Sequence, residues 1–139
     1  MNSNEPIKIG RINRSSIRAL KISLTGELSI YMSAKELDAI AAKRPHDYLS
    51  VIEELSHIVR EPDYVAFQKR PERLIYGKTF FRDGAFQNVY LSIGRGQTPG
   101  KWYYEGMVSG GKVSVPHQFA SMRFVRPQAK PIPQKNERS

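Results

Sequence analysis

The stretch RLIYGKTFFRDGAFQNVYLSIG, residues 73–94, constrains the fold of this chain more than any other segment. Two β-type runs flank Asp83-Gly84, a dipeptide that accepts left-handed φ at both central positions of a type I′ turn. Such a turn sets a register with Arg82 opposite Ala85, Thr79 opposite Asn88, and Gly77 opposite Tyr90. Strand side chains alternate between faces. One face then carries Leu74, Tyr76, Lys78, Phe80, Val89, Leu91 and Ile93, and is predicted to be the core side. The other carries Ile75, Gly77, Thr79, Asn88, Tyr90 and Ser92 and is half polar. Lys78 is therefore expected on the core-like face, away from Tyr90.

Around this hairpin the order reads strands, helices, strands. IKIGRINRSSIRALKISLTGELSIYMS holds short β-type runs, with LTGEL as a glycine-marked turn between Ile22 and Ile30. Ser33 followed by Glu36 is a capping box, predicting a helix to about Arg44 that buries Leu37, Ile40 and Ala41. Pro45 suits the first position of a second helix, and Asp47 complements the dipole of its first turn. Tyr48, Ile52, Leu55 and Val59 then fall on one face, flanked by Val51 and Ile58. His46, Ser50, Glu53 and His57 form the opposite stripe. The helix stops at REPDY, because the residue before Pro62 is pushed out of the α region. Downstream, GRGQTPG turns into the strand KWYYEGMVS, SGGK turns into VSV, and SMRFVRP is a candidate last strand.

The expected architecture is α+β: a helical pair packed on a twisted antiparallel sheet of about four strands, with a short N-terminal β extension. Residues 1–6 read as a loose N-terminus, 7–126 as one domain, and 127–139 as a flexible basic tail.

Charge narrows the function. With 22 Lys+Arg against 13 Asp+Glu, the formal charge is +9. Such a field attracts polyanions, nucleic acid first and anionic membrane second. There is no cysteine, which excludes disulfides, thiolate metal sites and cysteine nucleophiles. The N-terminus has no apolar run of the signal-peptide kind, and no stretch approaches the roughly 20 apolar residues that span a bilayer. A soluble, cytoplasmic protein without membrane partners is expected.

GRGQTPG is glycine-rich and basic but lacks the spacing of a phosphate-binding loop, and it joins two strands. His46, His57 and His117 lack metal-ligand spacing, so neither a metal nor another cofactor is expected. Basic residues interleave with aromatics in VAFQKRPERLIYGKTFFR, GRGQTPGKWYY and MRFVRP, a pattern that suits stacking of bases beside neutralised phosphates. The plainer reading makes those aromatics core and the charges its solvated edge. No serine sits in a nucleophile elbow and no carboxylate pair has convincing spacing. What the chain does hold is the kit for RNA cleavage without a metal. A base takes the 2′-hydroxyl proton, a cation stabilises the phosphorane, and an acid protonates the leaving oxygen.

The segments ELDAIAAKRPH, VIEELSHIVREPDYV, RLIYGKTF, NVYLSIG and KWYYEGMVS resemble the phage-associated barnase–EndoU–colicin–RelE-like nuclease domains. The likeness runs from about Tyr31 to Val115. It rests on Lys43 or Arg44, His46, Pro62-Asp63, Lys78 and Ser109. The resemblance implies a cofactor-free ribonuclease with a helix-plus-four-stranded-sheet fold, toxin-like or phage-encoded. On this reading His46 is general acid or base, Lys78 is the electrostatic partner of the phosphate, and Tyr90 and Ser109 orient the reacting groups. Lys43, Arg44, Arg82, Arg95, Lys101 and Tyr104 would hold the RNA, a tRNA or an mRNA, and an acidic antitoxin or immunity protein would be the inhibitor. The alternatives are a non-catalytic nucleic-acid-binding module and a protein-interaction domain of a phage or toxin system.

Overall fold

A computed structural model describes residues 5–43, 48–97, 100–110, 117–119 and 121–127. The side chains of Tyr48, Arg82, Ser109 and His117 lie outside that description. The elements are β1 (Ile7–Arg11), α1 (Arg14–Leu20), β2 (Ser29–Met32), α2 (Ala34–Lys43), α3 (Tyr48–Arg60), β3 (Tyr64–Gln68), β4 (Arg73–Arg82), β5 (Ala85–Arg95) and β6 (Lys101–Gly110). A short 3-10 turn follows at His117–Phe119.

The hairpin β4–β5 forms in the expected register, from Arg82 opposite Ala85 through Gly77 opposite Tyr90 to Arg73 opposite Gly94. Asp83 and Gly84 adopt φ of 52° and 77°, as a type I′ turn requires. The sheet extends to both sides of this hairpin in the order β1-β2-β6-β5-β4-β3. Neighbours are antiparallel except β2 and β6, which run parallel.

The class is α+β, but the sheet has six strands and carries three helices, not about four strands and a helical pair. Nor is the N-terminal β segment an extension. β2 lies beside β6 with Ile30 opposite Trp102, both fully buried, so the N-terminal strands complete the core. RSSIRAL, within the segment expected to hold short β-type runs, is the helix α1. The Asn13 side chain accepts the Ser16 N–H at 2.9 Å, satisfying a donor that a helix start leaves open. At the other end Lys21 takes a left-handed φ of 57° and its N–H donates to the Arg18 carbonyl. Ile17 and Leu20 pack on the core from between these caps.

In α2 the Ser33 hydroxyl accepts the Glu36 N–H at 3.3 Å, half of the expected capping box. Leu37 and Ile40 reach only the margin of the core, and no residue of α2 is fully buried. In α3 the buried stripe is Val51, Leu55, Ile58 and Val59, with Ile52 at its side. Arg44, Pro45, His46 and Asp47 lie outside the described residues, as do SGGK beyond Gly110 and VSV. SMRFVRP forms no strand; Val125 makes an isolated bridge to Val65, with N–H···O distances of 2.8 Å in both directions.

The core lies mainly on the helix-covered face, around Ile30, Leu55, Leu74, Tyr76, Leu91 and Trp102. Ile9 bulges from the β1 ladder, and its carbonyl accepts the Ser56 hydroxyl at 2.8 Å. Gly10 then lets β1 approach α3 closely, since a Cβ there would meet Val59 at 3.1 Å. The opposite face carries a smaller cluster of Ala66, Ile75, Tyr90 and Phe119, with Met122 and Phe124 packed on it. The C-terminal segment thus covers the face that the hairpin pattern makes half polar.

Tyr76 is fully buried and its hydroxyl has no hydrogen-bond partner among the described residues. A buried unsatisfied hydroxyl costs about 1–3 kcal/mol. Tyr76→Phe is therefore expected to raise stability by about 1 kcal/mol in urea unfolding, after a small loss from the space left behind. Burial also pushes the Tyr76 phenol above its ordinary value of 10.0. The folded state favours the protonated form, so that stabilisation is fully present below about pH 10 and drains away as pH rises further. The variant should lose less stability between pH 9 and 11 than the parent protein; equal losses would place the alkaline sensitivity elsewhere.

Candidate nucleic-acid interface

Three adjoining cavities lie along the edge where β1, α1 and the end of α3 meet. One of about 420 Å³ is lined by Arg11, Asn13, Arg14 and Arg60 over the apolar floor of Ile9, Ile12 and Val59. A second, of about 430 Å³, shares Arg11 and Arg14 and adds Arg18 and Glu27. The third, of about 660 Å³, shares Asn13 and Arg60 and adds Glu61, Asp63, Lys78 and Arg126. Common walls make them one groove, with six cations against three carboxylates.

Local structure explains why the arginines converge. Asn13 caps α1 and also donates through Nδ2 to the Arg60 carbonyl at 3.1 Å, joining the start of α1 to the end of α3. Arg14 and Arg18, four apart on α1, share one side of that helix. Arg11, Arg14 and Arg18 make no ion pair among the described residues. Arg126 approaches from the C-terminal segment, its guanidinium 5.0 Å from the Tyr64 ring centre and 3.1 Å from the Tyr64 hydroxyl. Lys78 is already engaged: its Nζ donates to the Glu61 carbonyl at 2.6 Å and stands 3.7 Å from Asp63 Oδ1. Its charge thus sits at the carbonyl of the residue that follows α3, the helix end where positive charge is favoured.

His57 stands beside the groove. Arg60 approaches its Nδ1 at 3.5 Å, Glu61 lies 3.9 Å from its Nε2, and its ring faces Phe80 with centroids 6.4 Å apart. Among the described residues no group of three or more His, Cys, Asp or Glu is placed to hold a metal ion. No described helix is long and apolar enough to cross a membrane.

The residues singled out from the sequence do not gather at one place. Lys78 lies on the helix-covered face, between Tyr76 and Phe80, while Tyr90 lies on the other face against Phe119 and Phe124. Ser109 aligns with Val89 and, through it, with Lys78 across three strands. Arg95 pairs with Glu72 and sits 5.2 Å over the Trp102 ring. Lys101 lies over Tyr31 at 5.3 Å, on the face opposite Trp102. Tyr104 is half-buried beside the main core. Burial raises the Tyr104 phenol first and Glu36 second; burial likewise raises Tyr90, with Tyr64 adding to it. Lys43 ends α2, Arg82 flanks the hairpin turn, and Arg44 and His46 lie outside the described residues. In the sequence Arg11, Arg14 and Arg18 simply recur with Lys8 and Lys21 through the N-terminal segment, and no signal joins them to Arg60 and Arg126.

Fold and groove together define an α+β protein with an open mixed sheet and an arginine-lined trough at one end. No family model, curated protein or solved structure matches the chain.

Proposed function

We propose that this protein binds RNA, with the sugar–phosphate backbone lying in the arginine groove. The observation that carries this reading is the sharing of Arg11, Arg14 and Arg60 between adjoining cavities, which makes a continuous cationic path. A flat anionic membrane would engage protruding cations; a trough with arginines in its walls suits a narrow polyanion whose counterions are released on binding.

Anisotropy of a labelled 12-nucleotide RNA across a salt series tests this. Affinity should fall linearly on a logarithmic salt scale. Alanine at Arg11, Arg14 and Arg18 together should reduce the slope by about 2, since each single-strand phosphate contact contributes about 0.7. Alanine keeps the helix propensity of α1 at positions 14 and 18, and Arg11 is exposed at the end of β1, so the fold is retained. An unchanged slope, or no binding by the parent protein at low salt, rejects the reading.

A second reading, cleavage through the 2′-hydroxyl, is favoured by the placement of His57 beside Arg60 and the groove. There His57 exchanges the proton while Arg60 faces the phosphate. Total RNA incubated with excess chelator decides between them. Discrete cuts with 2′,3′-cyclic phosphate ends, lost in His57→Ala but with binding retained, establish the nuclease; loss in His46→Ala instead restores the acid–base role to His46. Intact RNA leaves the binding module.

A further inference from the structure

The β4–β5 hairpin outruns one of its neighbours. β3 pairs with β4 only from Arg73 to Gly77, so the strand from Lys78 to Arg82 passes beyond it. Near the tip, Phe81 and Phe86 stand opposite each other, their rings edge-to-face with centroids 5.0 Å apart. They are 64% and 58% exposed, in a chain whose other phenylalanines, where their burial is described, are buried or half-buried. An exposed cross-strand aromatic pair adds a little to the hairpin, but the Asp-Gly turn does not depend on it. The hairpin register holds without it, because Thr79 and Asn88 already join the strands by a side-chain hydrogen bond of 2.6 Å.

We infer that Phe81 and Phe86 form a stacking platform for unpaired bases of the nucleic acid held in the groove, so that the ligand is single-stranded. The inference rests on the proposed RNA-binding function. Two observations single out this occupant. The groove reaches both faces at the sheet edge: Lys78 lies on the helix-covered face, while Arg126 lies over Tyr64, which stands opposite Gly77 on the face of Tyr90. Phe81 and Phe86 share that second face by strand alternation, and Phe81 lies four residues beyond Gly77, about 13 Å at strand rise, so a strand leaving Arg126 reaches the hairpin tip along one face. The chain also carries a formal charge of +9, complementary to a polyanion that brings aromatic faces with it. A paired duplex keeps its bases stacked inside and offers this pair nothing to stack on.

The experiment measures anisotropy of three probes: a 12-nucleotide oligouridylate, a fully paired blunt-ended RNA duplex, and inorganic polyphosphate, which has charge but no bases. They are titrated with the parent protein, F81A/F86A, F81L/F86L, and the alanine triple variant at Arg11, Arg14 and Arg18. The parent should prefer oligouridylate to the paired duplex. Both phenylalanine double variants should bind oligouridylate about tenfold or more weakly, with polyphosphate binding unchanged. The arginine variant should weaken on both probes. Because Phe81 and Phe86 are exposed, the double variants should unfold within a few degrees of the parent, losing only their mutual contact; the leucine variant keeps apolar bulk and isolates the need for an aromatic face.

If the arginine variant weakens while both phenylalanine variants bind oligouridylate as the parent does, the stacking platform is wrong and the groove survives. If leucine restores what alanine loses, or if the parent dimerises in sedimentation and F81A/F86A does not, the pair is an apolar docking patch and the inference fails. If no variant weakens binding, both the platform and the groove are rejected.

Discussion

Trp102→Ala is expected to remove about 3–5 kcal/mol of folding stability, the cost of truncating a large buried aromatic that its surroundings cannot collapse to fill. Trp102 is fully buried on β6, opposite Ile30 on β2 and Arg95 on β5. It therefore stands where the N-terminal strands join the central hairpin, and the Arg95 guanidinium covers its ring. A domain of this kind has about 5–15 kcal/mol in total, so the variant should be partly unfolded or close to it at 37 °C. Trp102→Phe should cost much less, because the indole N–H has no hydrogen-bond partner among the described residues and its loss removes an unsatisfied donor. Urea unfolding of the two variants checks this. A loss below about 1 kcal/mol for the alanine variant would mean that β2 and β6 are not joined through this side chain.

Asp63→Ala should cost about 2 kcal/mol, more than an exposed carboxylate ordinarily contributes. One oxygen accepts the Thr79 N–H at 2.8 Å, at the point where β4 passes the end of β3. The other faces Lys78, whose side chain is only 15% exposed. Removing Asp63 leaves that ammonium with the Glu61 carbonyl as its remaining partner among the described residues and leaves a strand N–H without its acceptor. Lys78→Met tests the same junction from the other side. If Lys78 is a cap for α3, the variant should lose about 1 kcal/mol of stability while RNA affinity changes less than twofold. A loss of RNA affinity or cleavage at undiminished stability would instead make Lys78 a phosphate contact. Melting and anisotropy on one preparation separate the two.

Much of the central fold was legible because its signals are local. Asp83-Gly84 settles both turn dihedrals within two residues, and alternation then assigns Tyr76, Val89 and Leu91 to one face and Tyr90 to the other. Ser33 and Glu36 mark the start of α2, and thirteen residues of α3 are long enough for a 3.6-residue period to stand out. By contrast, α1 has seven residues, fewer than two full turns, so no period distinguishes it from a β-type run. Its one usable signal was Asn13 three residues before Ser16. The candidate site was less legible than the fold. Arg11, Arg14 and Arg18 belong to one segment, but Arg60 and Arg126 come from the end of α3 and from the C-terminal segment, and only packing brings them together. Lys78 reads as a lone cation in a strand until the end of α3 is placed beside it.

The sequence by itself determined the hairpin and its register, the faces of its strands, the positions of α2 and α3, and the cationic character. Each of these is decided by dihedral preferences, caps or periodicity within a window of a few residues. Only the tertiary structure decided that β2 lies parallel to β6, that Phe119, Met122 and Phe124 cover the second face, and that five arginines line one groove. Closing a long loop costs little more than closing a shorter one, so chain separation does not choose the partner of a strand. Burial of shared apolar surface does, here Ile30 against Trp102 and Tyr90 against Phe119 and Phe124.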